Sequence, residues 1–160
     1  MTHDLDEGRR PDAPDHDHLA PPVIVVGLDG SPSGWDALSW ALGEALRSHG
    51  TVVAVHAVPV VDMAAAFGVP YDFAGVDQAR HEIADQLRVE AADRAAKLGV
   101  ELSFVTERGD ATHALAEVAR GLRAHLVVVG RSTQLWHRIT GSLSHRLTSR
   151  DDAPIVVVVP

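Results

Sequence analysis

A chain of 160 residues with a formal net charge of −8 and no cysteine has room for one domain with a proper core, and it excludes disulfides, thiolate metal sites and cysteine nucleophiles. Hydrophobic residues make up 46% of it and aromatics only 4%, so valine, alanine and leucine must fill that core. An acidic chain without a dense basic stripe is a poor candidate for binding nucleic acid, and no apolar run approaches the roughly 20 residues of a membrane-spanning helix. The opening MTHDLDEGRRPDAPDHDH lacks the apolar stretch of a secretory signal, which makes the cytoplasm the expected compartment.

Residues 1–22, dominated by Asp, His, Pro and Gly, read as a disordered acidic arm. His3, His16 and His18 sit there among carboxylates as a weak transition-metal candidate, against the plainer reading of a solvated tail. A single domain is expected over 23–160. Its first strand is the apolar run starting at Val23 and ending at Asp29, continuous enough to be buried on both faces. Ser31-Pro32 then reads as a helix cap with proline at the first helical position. Trp35, Leu38, Leu42, Ala45 and Leu46 form that helix's apolar stripe, and Gly50 closes it. The second strand spans 51–58.

Residues 59–76 read as a long apolar connection, of a length more often functional than idle. A second helix is expected over about 77–98, with Ile83, Leu87, Ala91, Ala95 and Leu98 inward and Gly99 as its stop. The third strand is placed at 100–106. Asp110 caps a third helix whose stripe is Leu115, Val118 and Leu122. The fourth strand is 126–130, a short helix falls near 142–149, and the fifth strand is 155–159. Strands alternating with helices, each strand solidly apolar, predict an α/β domain on a parallel sheet with helices on both faces. Ligands in such sheets bind beyond the carboxyl ends of the strands, where strand order reverses. Asp29 and Gly130 stand at those ends.

After the fourth strand the chain reads Gly130-Arg131-Ser132-Thr133-Gln134-Leu135-Trp136-His137-Arg138-Ile139-Thr140-Gly141-Ser142. A glycine at each end lets the backbone turn sharply and approach a ligand closely. Ser142 and the first amides of the following helix suit an anion. The alternative is that both glycines only shape the loop while Ser142 caps the helix.

Several blocks together carry a family resemblance: Val25 through Ser31, Leu126 through Gly130, Gly141-Ser142-Leu143-Ser144-His145-Arg146-Leu147, and Ala153-Pro154 with the valine run after Ile155. On these, residues 22–160 resemble the universal stress protein family. The resemblance implies a five-stranded parallel sheet of Rossmann-like, nucleotide-binding α-hydrolase type, homodimerisation through the final strand, and in one branch an ATP site. Carried over by position, Asp29 matches the acid that contacts adenosine, and Ala57, after His56, falls where the backbone meets adenine. Gly130, Gly141 and Ser142 match the two end glycines and the hydroxyl residue of the phosphate loop. The middle departs from that pattern. Thr133 replaces a glycine, and seven residues separate it from Gly141, two fewer than the pattern has. Threonine is β-branched and resists positive φ, while Arg131, His137 and Arg138 bring charge that phosphates can use. The implied ligand is ATP or AMP, with Mg2+ entering only alongside the nucleotide.

No enzymatic activity is expected. Gly141 is not followed by the lysine of a Walker loop, and Gly27, Gly30 and Gly34 lack dinucleotide spacing. A Gly-x-Ser-x-Gly elbow and a His-Glu-x-x-His pair are both missing. His113, His125, His137 and His145 are scattered singly and read as surface or capping histidines, and His56 as a satisfied core histidine. Asp29 has its own structural alternative, a carboxylate accepting backbone amides in the turn before Ser31. Trp35 and Trp40, five apart on a helix, belong to different faces. The strand at 155–159 is too apolar for a bare edge, which predicts a homodimer that pairs it across a two-fold axis. Two functions stay open: a dimeric nucleotide-binding regulator, or a nucleotide-free homodimeric interaction module.

Overall fold

The computed structural model describes residues 20–59, 73–131 and 154–160. They form β1 (Val23–Gly27), α1 (Pro32–Ser48), β2 (Thr51–Val58), α2 (Phe73–Leu98), β3 (Leu102–Arg108), α3 (Ala111–Gly121), β4 (Leu126–Gly130) and β5 (Ile155–Val159). The acidic arm up to residue 19, the helix expected near 142–149 and the 60–72 part of the long connection lie outside the described residues.

All strand pairs are parallel, in the order β3-β2-β1-β4-β5. The continuous valine and isoleucine runs make this possible, because alternate side chains leave the sheet on opposite faces and both faces are covered. Ile24 and Val26 pack with Leu28, Leu38 and Leu42 on one side, under α1 and α2. Val25, Val55, Val127 and Val129 pack on the other side with Ala114, Leu115 and Ala119 of α3. From β1 to β3 the chain advances in one direction. It then crosses beyond β1 to lay down β4, so right-handed crossovers put α3 on the opposite face from α1 and α2. The reversal leaves a crevice between the ends of β1 and β4.

The helix ends follow local chemistry. Ser31 caps α1 by accepting the Gly34 amide at 3.1 Å, and Asp110 caps α3 by accepting that of His113 at 3.1 Å. The left-handed residue that ends α1 is His49, with φ of 53°, rather than Gly50. Gly50 has a different constraint: a Cβ there would lie 2.5 Å from the carbonyl oxygen of Pro22. Trp35 is half-buried beneath the Arg94 guanidinium of α2, 4.2 Å from the ring centroid, whereas Trp40 is exposed. The two tryptophans do take different faces.

Several expectations are corrected. Helix α2 begins at Phe73, so 73–76 belong to it and not to a connection; Gly75 is tolerated inside a helix at about 1 kcal/mol. Its buried stripe runs through Ala84, Leu87, Ala91 and Ala95. Ile83, one residue out of phase with Ala84, is turned about 100° away and is exposed, as is Leu98 at the helix end. Leu46 is 52% exposed, on the margin of α1's stripe. Leu122 is the C-cap of α3 and also exposed. Strand β3 starts two residues late because Val100 closes α2, its amide bonding the Ala95 carbonyl at 3.0 Å. Strand β1 ends at Gly27, although the Leu28 amide still reaches the Val55 carbonyl at 2.9 Å. Among the described residues, no helix is long and apolar enough to cross a membrane.

Candidate functional site

The crevice between β1 and β4 opens into a cavity of about 60 Å3, lined by Gly27, Leu28, Asp29, Ser31, Ser33, Gly34, Val55, Ala57, Ala111, Leu115, Val129 and Gly130. Three residues singled out in the sequence, Asp29, Ala57 and Gly130, meet there. Arg131 is exposed and outside that lining; its amide donates to the Val159 carbonyl at 2.8 Å, which ties the chain leaving β4 to β5. Gly141 and Ser142 lie outside the described residues, as do Thr133, His137 and Arg138.

Asp29 ends the first β-to-α turn, and Gly30, with φ of 82°, lets the chain swing into α1. The Asp29 Oδ1 accepts from the Ser31 amide at 3.0 Å and from its hydroxyl at 2.6 Å. Ser31 Oγ in turn accepts from Gly34. The carboxylate therefore does the structural job expected of it, stiffening the start of α1. Both bonds go to Oδ1, and Oδ2 takes no part in them. A Cβ on Gly34 would lie 2.6 Å from that Oδ1, so glycine at 34 and the placement of Asp29 require each other.

Gly130 is explained by packing. A Cβ on it would run into the Ser33 carbonyl group and lie 2.8 Å from the Gly34 nitrogen. What approaches this glycine closely is the first turn of α1. Glycine is thus required here by the protein's own backbone, and Gly130 also lines the cavity.

Ala57 stands past the end of β1. The β1–β2 register stops at Gly27 with Val55, and the Val55 carbonyl faces β1. Ala57, two residues on, turns its backbone to the same side, over the crevice. Its side chain packs with the α3-side core. His56 points to the opposite face and its ring Nδ1–H donates to the Leu28 carbonyl at 2.9 Å, the satisfied histidine the sequence suggests. His125 is likewise a capping residue: its Nδ1 accepts the Val23 amide at 3.3 Å.

Ser33, Ala111 and Leu115 escaped sequence reasoning. Ser31 was legible as a helix cap, but its pairing with Ser33, 3.3 Å away, was not legible as a rim. Ala111 and Leu115, one turn apart on α3, carry no residue-type signal for a site. The cavity thus has an apolar floor of Gly27, Val55, Leu115 and Val129 and a polar rim of Asp29, Ser31 and Ser33. That suits a flat ring with a polar appendage at the mouth. Among the described residues, no group of three or more His, Asp or Glu could hold a metal ion.

Comparison with known proteins bears on the family and the fold. The profile of the universal stress protein family matches residues 22–159. A universal stress protein from Burkholderia pseudomallei is 26% identical, with a TM-score of 0.69 over 86% of this chain and 95% of that one. A universal stress protein solved in complex with cAMP is 24% identical, with a TM-score of 0.65 over 89% of this chain and 99% of that one. One from Arabidopsis thaliana with AMP bound is 16% identical, with a TM-score of 0.55 over 88% and 93%. No curated protein matches the sequence. The family profile spans the folded domain from before β1 to the end of β5, and the chain belongs to the universal stress protein family.

Proposed function

We propose that this protein is a stress-response regulator that binds an adenine nucleotide, ATP or AMP, in the β1–β4 crevice and acts as a homodimer. The observation that carries the reading is the crevice itself, apolar in its floor and polar at its mouth, at the point of the sheet where strand order reverses. Solved relatives described with cAMP, dAMP and AMP support the ligand class. In this reading Asp29 contacts the ribose, the Ala57 backbone meets the base, and Gly130, Arg131, Gly141 and Ser142 border the phosphates. Mg2+ enters only alongside the phosphates. Calorimetric titration with AMP, ATP and cAMP, each with and without magnesium, tests it. Saturable heat at submillimolar nucleotide is expected, and no heat at millimolar nucleotide ends the reading.

A second reading, a nucleotide-free interaction module, is favoured by two observations. Asp29 Oδ1 is already engaged by Ser31, and Gly130 is accounted for by packing alone. Both readings share the dimer. Among the described residues strand β5 borders only β4, and Ile155 is 66% exposed. The opposite edge, β3, is interrupted by Ser103, Thr106, Glu107 and Arg108, which blunts it against pairing. An apolar edge that pairs with its own copy buries its unpaired amides and its valines together.

A further inference from the structure

We propose that Leu115 sets the depth of the crevice and thereby restricts it to a flat ring with no substituent on its leading edge. This rests on the nucleotide reading and adds which part of the base is selected. Helix α3 starts at the carboxyl edge of the sheet, so Ala111 stands near the mouth and Leu115 one turn, about 6 Å, further in. Both line the cavity, together with Gly27 and Ala57. Ala57 and Ala111 offer only methyl groups and Gly27 nothing, which leaves a narrow gap between α3 and the strand ends. Leu115 closes the inner end of that gap. Its side chain is 3% exposed, and a methyl group placed on Gly27 would sit 3.3 Å from its Cδ1 and 3.6 Å from its Cδ2. The isobutyl group therefore packs directly against the open face of Gly27, at the inner end of the gap.

A purine nucleoside leaves its ribose at the mouth, near Asp29 and the α1 turn, where the polar side chains of Asp29, Ser31 and Ser33 stand. The edge opposite N9, which carries N6 in adenine, then leads inward and meets Leu115. A hydrogen-bearing N6 fits, and a bulky N6 group collides with the leucine. Shortening Leu115 removes the obstacle.

The test compares AMP and N6-benzyl-AMP by calorimetry on the wild type, Leu115→Ala and Leu115→Val. The ratio of the two affinities should move toward the benzyl ligand by about tenfold or more in Leu115→Ala, since even one methylene in a hydrophobic pocket changes discrimination by about tenfold. Leu115→Val, with less buried volume removed, should move the ratio in the same direction by less, and it serves if the alanine variant does not fold. If the wild type binds AMP and neither folded variant shifts the ratio, Leu115 does not set the depth and the nucleotide reading stands. If neither wild type nor variants bind either ligand, the nucleotide reading fails and this proposal fails with it.

Discussion

Gly130→Ala adds one methyl group at the end of β4, where the nearest atoms belong to the backbone of Ser33 and Gly34, the latter 2.8 Å away. Carbon contacts are comfortable near 3.5–4.0 Å, so the two segments must separate by roughly 1 Å. Neither yields easily. Strand β4 is paired on both sides, and the α1 turn is held by the Asp29–Ser31–Gly34 relay. Overpacking of this kind costs about 1–3 kcal/mol. At 2 kcal/mol the midpoint of thermal unfolding falls by about 4–8 °C for a domain of this size. Circular dichroism melts of the ligand-free protein measure the shift, and urea titration checks that the slope of the transition is unchanged. An unaltered melting temperature would refute the packing explanation. If nucleotide affinity alone were then lost, the glycine would be there for the ligand.

Three further changes probe other parts of the fold. Thr112 is 3% exposed and its hydroxyl has no hydrogen-bond partner among the described residues, so Thr112→Val should stabilise the domain by about 1 kcal/mol in urea unfolding; a loss of stability would mean the hydroxyl is bonded in solution. His49 ends α1 at φ of 53°, a conformation that costs a non-glycine residue about 1–2 kcal/mol. His49→Gly should raise the melting temperature by a degree or two after the entropy of glycine in the unfolded chain is subtracted, and a fall would count against the left-handed cap. Ile155→Lys places a charge on the exposed start of β5 and should convert the proposed dimer to a monomer in light scattering at micromolar concentration, with an unchanged melting curve for the isolated subunit. A wild type that is already monomeric would rule the β5 dimer out.

The sheet was legible because its signal is redundant. Strands β1, β2 and β4 are apolar runs with buried centres, β5 is a continuous Ile-Val run on the sheet edge, and a shift of one residue changes little. The helices were legible by their caps, Ser31 and Asp110, better than by their apolar stripes. Leu46, Ile83 and Leu122 look inward by residue type, yet they lie outside the buried stripes: Leu46 sits on a stripe's margin, Ile83 is one residue out of phase, and Leu122 is the C-cap of α3. The β3 boundary was misplaced because Val100 looks like strand but is consumed in closing α2.

At the site, Asp29 was found because strand ends in an alternating fold are predictable from order alone, and Ala57 was found through the family resemblance. The cause of Gly130 was not, since it lies in the first turn of α1, nearly a hundred residues away in the chain. Leu115 and Ala111 carry ordinary core chemistry. Only their position at the mouth and floor of the crevice distinguishes them.

The central claim is that the β1–β4 crevice is where this protein meets its ligand. Amide chemical shifts in a 15N-labelled sample titrated with AMP test it most directly. The account predicts saturable shifts at Gly27, Asp29, Ala57, Ala111 and Gly130, with Val89 on the exposed face of α2 unmoved. Shifts clustered elsewhere, or none at millimolar AMP, would contradict it.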